Sequence, residues 1–257
     1  MSRTLATYNI KGGVGKTSAA ANLAYLAAAG GARTLLWDLD PQGASTFLFR
    51  IRPHVKGGAR KLVRGKSNVA KRIKGTDHDR LDLLPADFSY RHMDLALDGA
   101  KKPTRRLKRV LAPIAADYDY VFLDCPPSIS LVSESVFEAA DALLVPMIPA
   151  TLSSLTYEQL CRVVAAEAAG GPKVLAFFSM LDRRKLLHRD VVERLPREHP
   201  GVLRTAIPTA ADVERMGMHR TVLPEFAPRG RAARAYRALW SEIGERLGDG
   251  ATPLNGA

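Results

Sequence analysis

The hydrophobic positions of the chain predict short buried strands that alternate with amphipathic helices. Apolar runs of strand length occur at residues 5–8, 34–37, 81–84, 118–123, 142–147, 174–179 and 204–207. Apolar residues at helical spacing fall between them, over residues 18–29, 87–97, 104–116, 131–139, 154–167, 186–195 and 231–247. Strands that alternate with helices build a mostly parallel, twisted sheet with helices on both faces. We therefore predict a single α/β domain over residues 1–247 and a flexible tail over residues 248–257.

The same spacing indicates which sides of the helices face the core. In the helix over residues 154–167 the predicted core side comprises Leu155, Leu160, Val163 and Val164. In the last helix it comprises Ala235, Leu239, Trp240, Ile243 and Leu247. Residues 60–74 fit a basic amphipathic helix with a patchy apolar side, interrupted by glycine. This pattern leaves two interpretations open for residues 50–80, a solvated mobile face or a contact with nucleic acid.

A glycine-rich stretch lies between the first strand and the first helix. Its sequence is Lys11-Gly12-Gly13-Val14-Gly15-Lys16-Thr17. Glycines let the backbone turn so that successive N–H groups point at one anion, and the start of the helix adds partial positive charge. A lysine in this position reaches the β and γ phosphates of a nucleotide, and the following hydroxyl ligates Mg²⁺. Ile10 stands where the strict pattern has its first glycine.

Three aspartates follow predicted strands. Asp38 and Asp40 come after the strand at residues 34–37, and Asp124 follows the strand at residues 118–123. The carboxyl ends of parallel strands line the ligand crevice of an open α/β sheet. An apolar strand that ends in aspartate is also the arrangement that holds Mg²⁺ opposite a phosphate-binding loop. The pattern therefore predicts a site for a nucleotide and Mg²⁺.

The glycine-rich stretch resembles the deviant Walker A motif of the ParA and MinD ATPases, and the segments Asp38-Leu39-Asp40-Pro41-Gln42 and Asp124-Cys125-Pro126-Pro127 resemble the two switch regions of that family. The resemblance covers about residues 3–247 and implies a P-loop fold that binds ATP and Mg²⁺. It also implies a homodimer with two ATP molecules between the subunits, in which Lys11 reaches the nucleotide held by the partner.

The resemblance further implies roles for individual residues. It assigns Lys11, Lys16 and Asp40 to catalysis, with Asp40 positioning the water that attacks the γ phosphate, and it places Thr17, Asp38 and Asp124 near Mg²⁺. The nucleotide-binding residues would be the loop from Lys11 to Thr17 together with Ser18, Ser179, Asp182 and Pro208, of which Ser179 and Asp182 would contact the adenine side.

Composition narrows the class of protein. The chain has 257 residues, of which 46% are hydrophobic and 25% charged, as in ordinary globular domains. Its two cysteines, Cys125 and Cys161, give no disulfide framework. We see no apolar run long enough to span a membrane and no signal peptide, so we expect a cytoplasmic protein.

The charge is unusual and uneven. The net charge is +12 and the isoelectric point is near 10, which indicates a polyanionic partner. Residues 50–80 hold eleven Lys and Arg against two Asp, and residues 183–237 hold thirteen against six acidic residues. The second block resembles the face that ParA proteins use for DNA, and its candidate DNA-binding residues are Arg183, Arg184, Lys185, Arg189, Arg215, Arg220, Arg229, Arg231 and Arg234.

These observations favour a ParA-type ATPase that dimerises with ATP, coats nucleoid DNA without sequence preference and is released after hydrolysis. A ParB-like or other adaptor protein would stimulate hydrolysis and carry a chromosome, plasmid or protein cluster. One alternative is a membrane-associated positioning ATPase of the MinD branch, although Glu242 and Glu245 in the last helix disfavour contact with anionic lipid. The other is an iron–sulfur protein that shares the deviant loop, with Cys125 and Cys161 as ligands.

Overall fold

The computed structural model describes residues 2–65, 67–167 and 170–248, in which eight strands form one sheet. The strands are β1 (Arg3–Thr7), β2 (Thr34–Asp38), β3 (Lys74–Gly75), β4 (Leu81–Leu84), β5 (Tyr120–Asp124), β6 (Ala142–Met147), β7 (Lys173–Leu181) and β8 (Val202–Pro208). Their order across the sheet is β3-β4-β2-β5-β1-β6-β7-β8, and every neighbouring pair is parallel except β3 and β4. The predicted α/β fold is confirmed.

The helices cover both faces of this sheet. They are α1 (Lys16–Ala29), α2 (Ala44–Leu48), α3 (Gly58–Val63), α4 (Met93–Asp98), α5 (Arg106–Leu111), α6 (Leu131–Ala139), α7 (Ser153–Glu167), α8 (Leu186–Glu198), α9 (Ala211–His219), α10 (Leu223–Phe226) and α11 (Arg231–Leu247). Short 3-10 turns occur at Ala70–Arg72, Phe88–His92, Pro103–Arg105 and Ala112–Asp117. No described helix is both long enough and apolar enough to cross a lipid bilayer.

Two apolar clusters hold the layers together, one on each face of the sheet. The first joins strand residues such as Trp37 and Leu123 to helices α3 to α8. The second joins the opposite side chains, such as Leu36 and Phe122, to α1 and α11. Strands with both faces buried read as continuous apolar runs, which is why the sequence pattern located them well.

Strand register places the predicted chemistry at one level of the sheet. Asp124 of β5 lies beside Thr7 of β1 on one side and Asp38 of β2 on the other. The chain leaves all three strands at this edge, so the glycine-rich loop and both aspartates meet there. This edge is the carboxyl edge at which ligands of open α/β sheets bind.

The helix expected over residues 60–74 is wrong. The structure has the short helix α3, then a 3-10 turn, then β3 antiparallel to β4. Gly65, which lies within this range, has a positive φ angle of +68°, which is incompatible with a continuous helix. The apolar residues of the segment, including Leu62, Val63 and Val69, are nevertheless buried, so the segment packs onto the domain.

The predicted core side of α7 is also partly wrong. Leu160 and Val164 are buried as expected, but Leu155 is 45% exposed and Val163 is 37% exposed, whereas Tyr157 is buried in their place. In α11 the prediction is confirmed, because Leu239 and Ile243 are fully buried and Trp240 packs against Tyr120 and Phe122. The helices expected over residues 87–97 and 104–116 each begin with a 3-10 turn. Residues 249–257 of the expected tail lie outside the described residues.

Candidate active site

The loop between β1 and α1 has the backbone of a phosphate-binding turn. Gly13 and Gly15 have φ angles of +71° and +91°, a region that strains any residue with a side chain. A Cβ atom added to Gly12 or Gly13 would meet nothing within 4 Å, so this side of the loop is open to an incoming ligand. Thr17 and Ser18 follow in the first turn of α1, where the N–H groups have no partners within the helix.

The two lysines of the loop occupy different environments. Lys16 is only 7% exposed, and its Nζ donates a hydrogen bond across the loop to the carbonyl of Lys11 at 2.9 Å. Burial lowers the pKa of Lys16, while the carboxylates of Asp124 and Asp40 oppose that shift. The Lys11 side chain is exposed, and it forms no ion pair with the described residues. Lys16 is therefore held inside the loop, and Lys11 points away from it.

Asn9 and Ser179 hold the glycine-rich loop in place through hydrogen bonds. Asn9 donates from Nδ2 to the carbonyl of Pro146 at 2.8 Å and accepts from the Lys11 amide at 2.9 Å, which ties the loop to β6. Ser179 of β7 donates from Oγ to the carbonyl of Val14 at 2.6 Å and is 4% exposed. Ser179, expected on the adenine side, is thus bonded to the backbone of the loop and holds its conformation.

Asp38 lies at the end of β2 and is fully buried. Its Oδ2 accepts from the backbone N–H of Thr46 at 2.8 Å and from the Thr46 hydroxyl at 2.7 Å, and its Oδ1 accepts from the Asp40 amide at 3.2 Å. Burial, followed by the charge of Asp124, raises the pKa of Asp38 well above its usual range. Asp38 therefore anchors α2 through Thr46, and its raised pKa favours the neutral form beside Asp124.

Asp124 completes the acidic pair. Its Oδ2 accepts from Ser45 Oγ at 2.7 Å, whereas its Oδ1 is buried and has no hydrogen-bond partner among the described residues. Burial raises the pKa of Asp124 against the lowering effect of the nearby Ser45 and Thr17 hydroxyls. A buried, unsatisfied carboxylate oxygen is costly unless a cation or donor meets it. The site therefore fits a hard cation held by oxygen ligands, with Thr17 on the facing helix.

Asp40 is half-buried and lies where the chain turns into α2. Its Oδ1 accepts from the Gln42 amide at 2.9 Å, and its carbonyl accepts from Gly43. Asp40 and Lys16 are near enough for their charges to interact. The structure thus brings Lys16, Asp40, Asp38 and Asp124 together, as the sequence predicts.

A separate cavity opens at the ends of β7 and β8. Its volume is about 630 Å³, and its lining includes Asp182, Pro208, Arg183, Arg184, Arg231 and Arg234. The Asp182 carboxylate is bound by the Arg184 guanidinium at 2.9 to 3.0 Å, which lowers the pKa of Asp182 to about 2. Asp182 and Pro208 therefore share one cavity, but Asp182 already has a cationic partner there.

The predicted DNA-binding residues lie over β7, β8 and the helices that follow. Eight of them are exposed, namely Arg183, Arg184, Lys185, Arg189, Arg215, Arg229, Arg231 and Arg234. Arg220 differs, because its Nε donates to the carbonyl of Phe47 at 3.1 Å and its guanidinium lies 4.5 Å from the centre of the Phe47 ring. Arg220 is thus committed to an intramolecular contact with α2.

Sequence reasoning missed three residues of the site. Asn9 orients the loop, Ser45 binds Asp124, and Thr46 binds Asp38 and also accepts from the Ala86 amide at 2.8 Å. Ser45 and Thr46 come shortly after the Asp38–Gln42 segment in the sequence. A pair of hydroxyls beside buried carboxylates is the signal that could have identified them.

An apolar surface adjoins the exposed Lys11. Ile10 is 44% exposed, Ile148 is 37% exposed and Leu152 is 63% exposed. A shallow cavity of about 170 Å³ lies here, lined by Lys11, Ile148 and Leu152 among others. Exposed apolar residues grouped beside a functional loop indicate a surface that another molecule covers.

Comparison with known proteins gives matches along nearly the whole chain. The family model that matches residues 2–168 is described as an AAA domain. The sporulation initiation inhibitor protein Soj of Bacillus subtilis is 30% identical over 249 residues, covering 95% of this chain and 98% of that protein. The chromosome partitioning protein ParA of Caulobacter vibrioides is 34% identical over 206 residues, covering 77% of each chain.

A solved structure agrees with these matches. Cobyrinic acid a,c-diamide synthase from Mycobacterium smegmatis, with bound ADP and magnesium, superimposes with a TM-score of 0.81. It is 27% identical, and the alignment covers 98% of both chains. The similarity therefore extends beyond the loop to the complete fold.

Proposed function

Because the chain belongs to the ParA family of partitioning ATPases, we propose that it dimerises around ATP, binds duplex DNA without sequence preference and leaves the DNA when ATP is hydrolysed. The observation that carries this proposal is the loop with one inward and one outward lysine, facing a buried aspartate pair with an unsatisfied oxygen. The cargo would be a chromosome, a plasmid or a protein cluster, presented by a ParB-like adaptor. The protein would act in the cytoplasm on the nucleoid.

The protein binds ATP with Mg²⁺, and its own residues supply the phosphate and cation contacts. The backbone N–H groups of the loop, beside the open space at Gly12 and Gly13, and the buried Lys16 ammonium would hold the phosphates, and Thr17 and Asp124 would provide oxygen atoms for the cation. When bound, Mg²⁺ offsets the negative charge of the β and γ phosphates. Asp38 holds α2 in place through Thr46.

Hydrolysis is assigned to Asp40. Its carboxylate is half-buried on the turn before α2 and lies close enough to Lys16 for their charges to interact. Phosphoryl transfer depends mainly on positioning and charge stabilisation, so a carboxylate that orients water is sufficient. Slow hydrolysis would set the lifetime of the DNA-bound state.

Dimerisation is supported by the surface beside the loop. Lys11 is exposed and lies next to Ile10, Ile148 and Leu152, which are also exposed. A second copy placed here would cover the apolar residues and receive Lys11 at its own nucleotide. The same contact would make dimerisation dependent on ATP, because the negative phosphates offset the repulsion between two lysines.

DNA binding is assigned to the exposed basic residues around α8, α9 and the start of α11. Exposed arginine and lysine bind the phosphate backbone, which carries no base information. Dimerisation doubles the number of these cations on one particle, so ATP should strengthen binding well beyond that of the monomer.

The test is duplex binding by the purified protein with ATP, with ADP and without nucleotide. We expect ATP to increase affinity, scrambled duplexes to bind alike, and log affinity to fall about linearly with log salt, by about 0.9 for each phosphate neutralised. Changing Arg229, Arg231 and Arg234 to Glu should remove the ATP-dependent gain while leaving ATP-dependent dimerisation intact. Equal affinity in all three nucleotide states would contradict the proposal.

A further inference from the structure

The two oxygen atoms of the Asp124 carboxylate lie in different environments. Oδ2 accepts a hydrogen bond from Ser45 Oγ at 2.7 Å. Oδ1 is buried and has no hydrogen-bond partner among the described residues. The proposed function uses Asp124 as a source of oxygen for Mg²⁺, but it gives Ser45 no task. The protein thus holds one oxygen of this carboxylate and leaves the other for a ligand.

Ser45 is fixed by its place in the fold. It is fully buried and is the second residue of α2. The next residue, Thr46, is bonded to Asp38 through both its backbone N–H and its hydroxyl, and its hydroxyl also accepts from the Ala86 amide. Because these bonds fix the backbone of α2, the Ser45 hydroxyl stays directed at Asp124.

The backbone of Asp124 is fixed as well. Asp124 is the last residue of β5 and is fully buried between Thr7 of β1 and Asp38 of β2. Its carbonyl accepts from the Leu39 amide at 2.9 Å. Rotation of the carboxylate would break the bond to Ser45 and leave a second buried oxygen unsatisfied, which is unfavourable. Oδ1 is therefore the oxygen that Asp124 can offer to a cation.

The other carboxylates of the site are also engaged by donors. Both oxygens of Asp38 accept hydrogen bonds, from Thr46 and from the Asp40 amide. Oδ1 of Asp40 accepts from the Gln42 amide. In the described ranges, no group of three or more His, Cys, Asp and Glu side chains could hold a metal ion by itself. A cation at this site therefore depends on few protein oxygens and on the phosphates of the nucleotide.

A carboxylate with one oxygen held suits one class of cation better than another. Mg²⁺ demands near-ideal octahedral geometry and is usually bound by one or two carboxylates together with water and substrate phosphates. Ca²⁺ is larger, takes more oxygen ligands in looser geometry and accepts both oxygens of one carboxylate. Holding Oδ2 of Asp124 therefore withholds a ligand from Ca²⁺ and takes nothing from Mg²⁺.

We propose that Ser45 is a specificity-determining residue of the cation site, which favours Mg²⁺ over Ca²⁺ by limiting Asp124 to one oxygen. Ser45 does not contact the cation and acts through Asp124, so it is a positioning residue. The inference rests on the proposed role of Asp124 at the cation, and it adds the residue that selects the ion.

The experiment measures cation binding rather than turnover. Metal-free protein saturated with ADP is titrated with Mg²⁺ and, separately, with Ca²⁺ in a calorimeter. We expect Ser45→Ala to bind Mg²⁺ about tenfold more weakly, as is usual when a residue that orients a metal ligand is removed. It should bind Ca²⁺ at least as tightly as the unmodified protein, because the freed carboxylate can offer both oxygens. The readout is the ratio of the two dissociation constants.

Three further variants make the test specific. Ser135→Ala removes another fully buried hydroxyl, which bonds to the carbonyls of Pro103 and Thr104, and it should leave the ratio unchanged. Ser45→Thr keeps the hydroxyl and should keep the ratio. If Ser45→Ala does not fold, Ser45→Cys takes its place, since cysteine has nearly the same shape and only a weak donor.

Two outcomes would overturn the inference. They are an unchanged Mg²⁺ affinity in Ser45→Ala, or a loss of Mg²⁺ and Ca²⁺ affinity by the same factor. Asp124→Asn distinguishes these outcomes from a failure of the proposed site, because it should weaken the binding of both cations. Unchanged Mg²⁺ affinity in Asp124→Asn would remove Asp124 from the cation site, whereas a loss there with an unchanged ratio in Ser45→Ala would overturn only the role of Ser45.

Discussion

At the scale of single residues, the two lysines of the glycine-rich loop lie in different environments. Lys16 is buried and bonded to the loop backbone, and Lys11 is exposed beside an apolar surface. We propose that Lys16 binds the phosphates in its own subunit and that Lys11 contacts the partner subunit.

We predict that Lys16→Ala abolishes stable ATP binding, because the phosphates lose a charge-assisted donor inside a crevice. Titration of the variant with a fluorescent ATP analogue measures this directly. Lys11→Ala is the matched control within the same loop, and it should bind the analogue but fail to dimerise in sedimentation experiments. Undiminished analogue affinity in Lys16→Ala would remove Lys16 from the site.

A second residue-scale prediction concerns Ser179. Ser179→Ala removes the hydrogen bond to the Val14 carbonyl, so the variant should lose about 1 kcal/mol of unfolding free energy and bind ATP more weakly. If Ser179 acts only through the loop, affinities for ATP and GTP should fall by the same factor. A selective loss of ATP affinity would instead favour the adenine contact predicted from sequence.

Some residues of the candidate site could be predicted from their chemical type and spacing, whereas others are recognised only from the hydrogen bonds that they form in the folded structure. Gly13, Lys16 and Asp124 could be predicted because few residue types can perform their tasks at that spacing. Asn9 and Thr46 could not, since amides and hydroxyls in loops are common and only the folded structure shows which carbonyl or carboxylate they meet.

At the scale of elements, α2 is held by a small polar network rather than by a large apolar face. Its five residues include Ser45 and Thr46, which bind Asp124 and Asp38. Phe47 of the same helix is 50% exposed. A helix attached mainly through two site carboxylates will respond to any change in the charge of that site.

We predict that Thr46→Val destabilises the protein strongly although valine has nearly the same shape. The Asp38 carboxylate would lose one donor and the buried Ala86 amide would lose its acceptor, and each unsatisfied group costs about 1 to 3 kcal/mol. Chemical denaturation measures the loss. Thr46→Ser keeps the hydroxyl and should recover most of it; equal stability of the Val and Ser variants would show that the network does not hold α2.

Most strands and long helices could be predicted because their hydrophobic pattern is continuous. The failures fall where short elements follow one another, as at residues 60–74, where Gly65 takes a left-handed angle and divides the segment. In α7 the predicted apolar side included Leu155 and Val163, which are exposed, because apolar residues occur on more than one side of that helix. A pattern cannot show whether an apolar residue faces the core or a partner.

At the scale of the whole molecule, we propose that the time the protein stays on DNA depends on how long its bound ATP remains unhydrolysed. Asp40→Ala should bind ATP, dimerise and stay on DNA, with hydrolysis reduced at least tenfold, because the residue proposed to orient water is lost while the loop and the aspartate pair remain. Phosphate release and DNA-bound lifetime measure the two effects together. Unchanged turnover would exclude Asp40 from the reaction.

The dimer surface gives a second prediction at this scale. Leu152→Glu places a charge beside Lys11 on the exposed apolar surface, so the ATP-dependent dimer should be lost while each monomer still binds ATP. Sedimentation with ATP measures the assembly, and Leu95→Glu, at a residue 74% exposed and on α4, is the matched control. Dimerisation of the Leu152 variant at the unmodified affinity would place the interface elsewhere.

Arg220 carries a consequence for the direction in which a signal can travel. Arg220 follows the last residue of α9 and has a φ angle of +49°, a strained conformation for arginine. Its side chain contacts Phe47 of α2. Thr46, the neighbour of Phe47, bonds to Asp38. A partner that displaces α9 would therefore also shift the nucleotide site, through the adjacent residues Phe47 and Thr46. Thermodynamic linkage is reciprocal. A partner that binds α9 would therefore change the affinity for ATP by the same factor by which ATP changes the affinity for that partner.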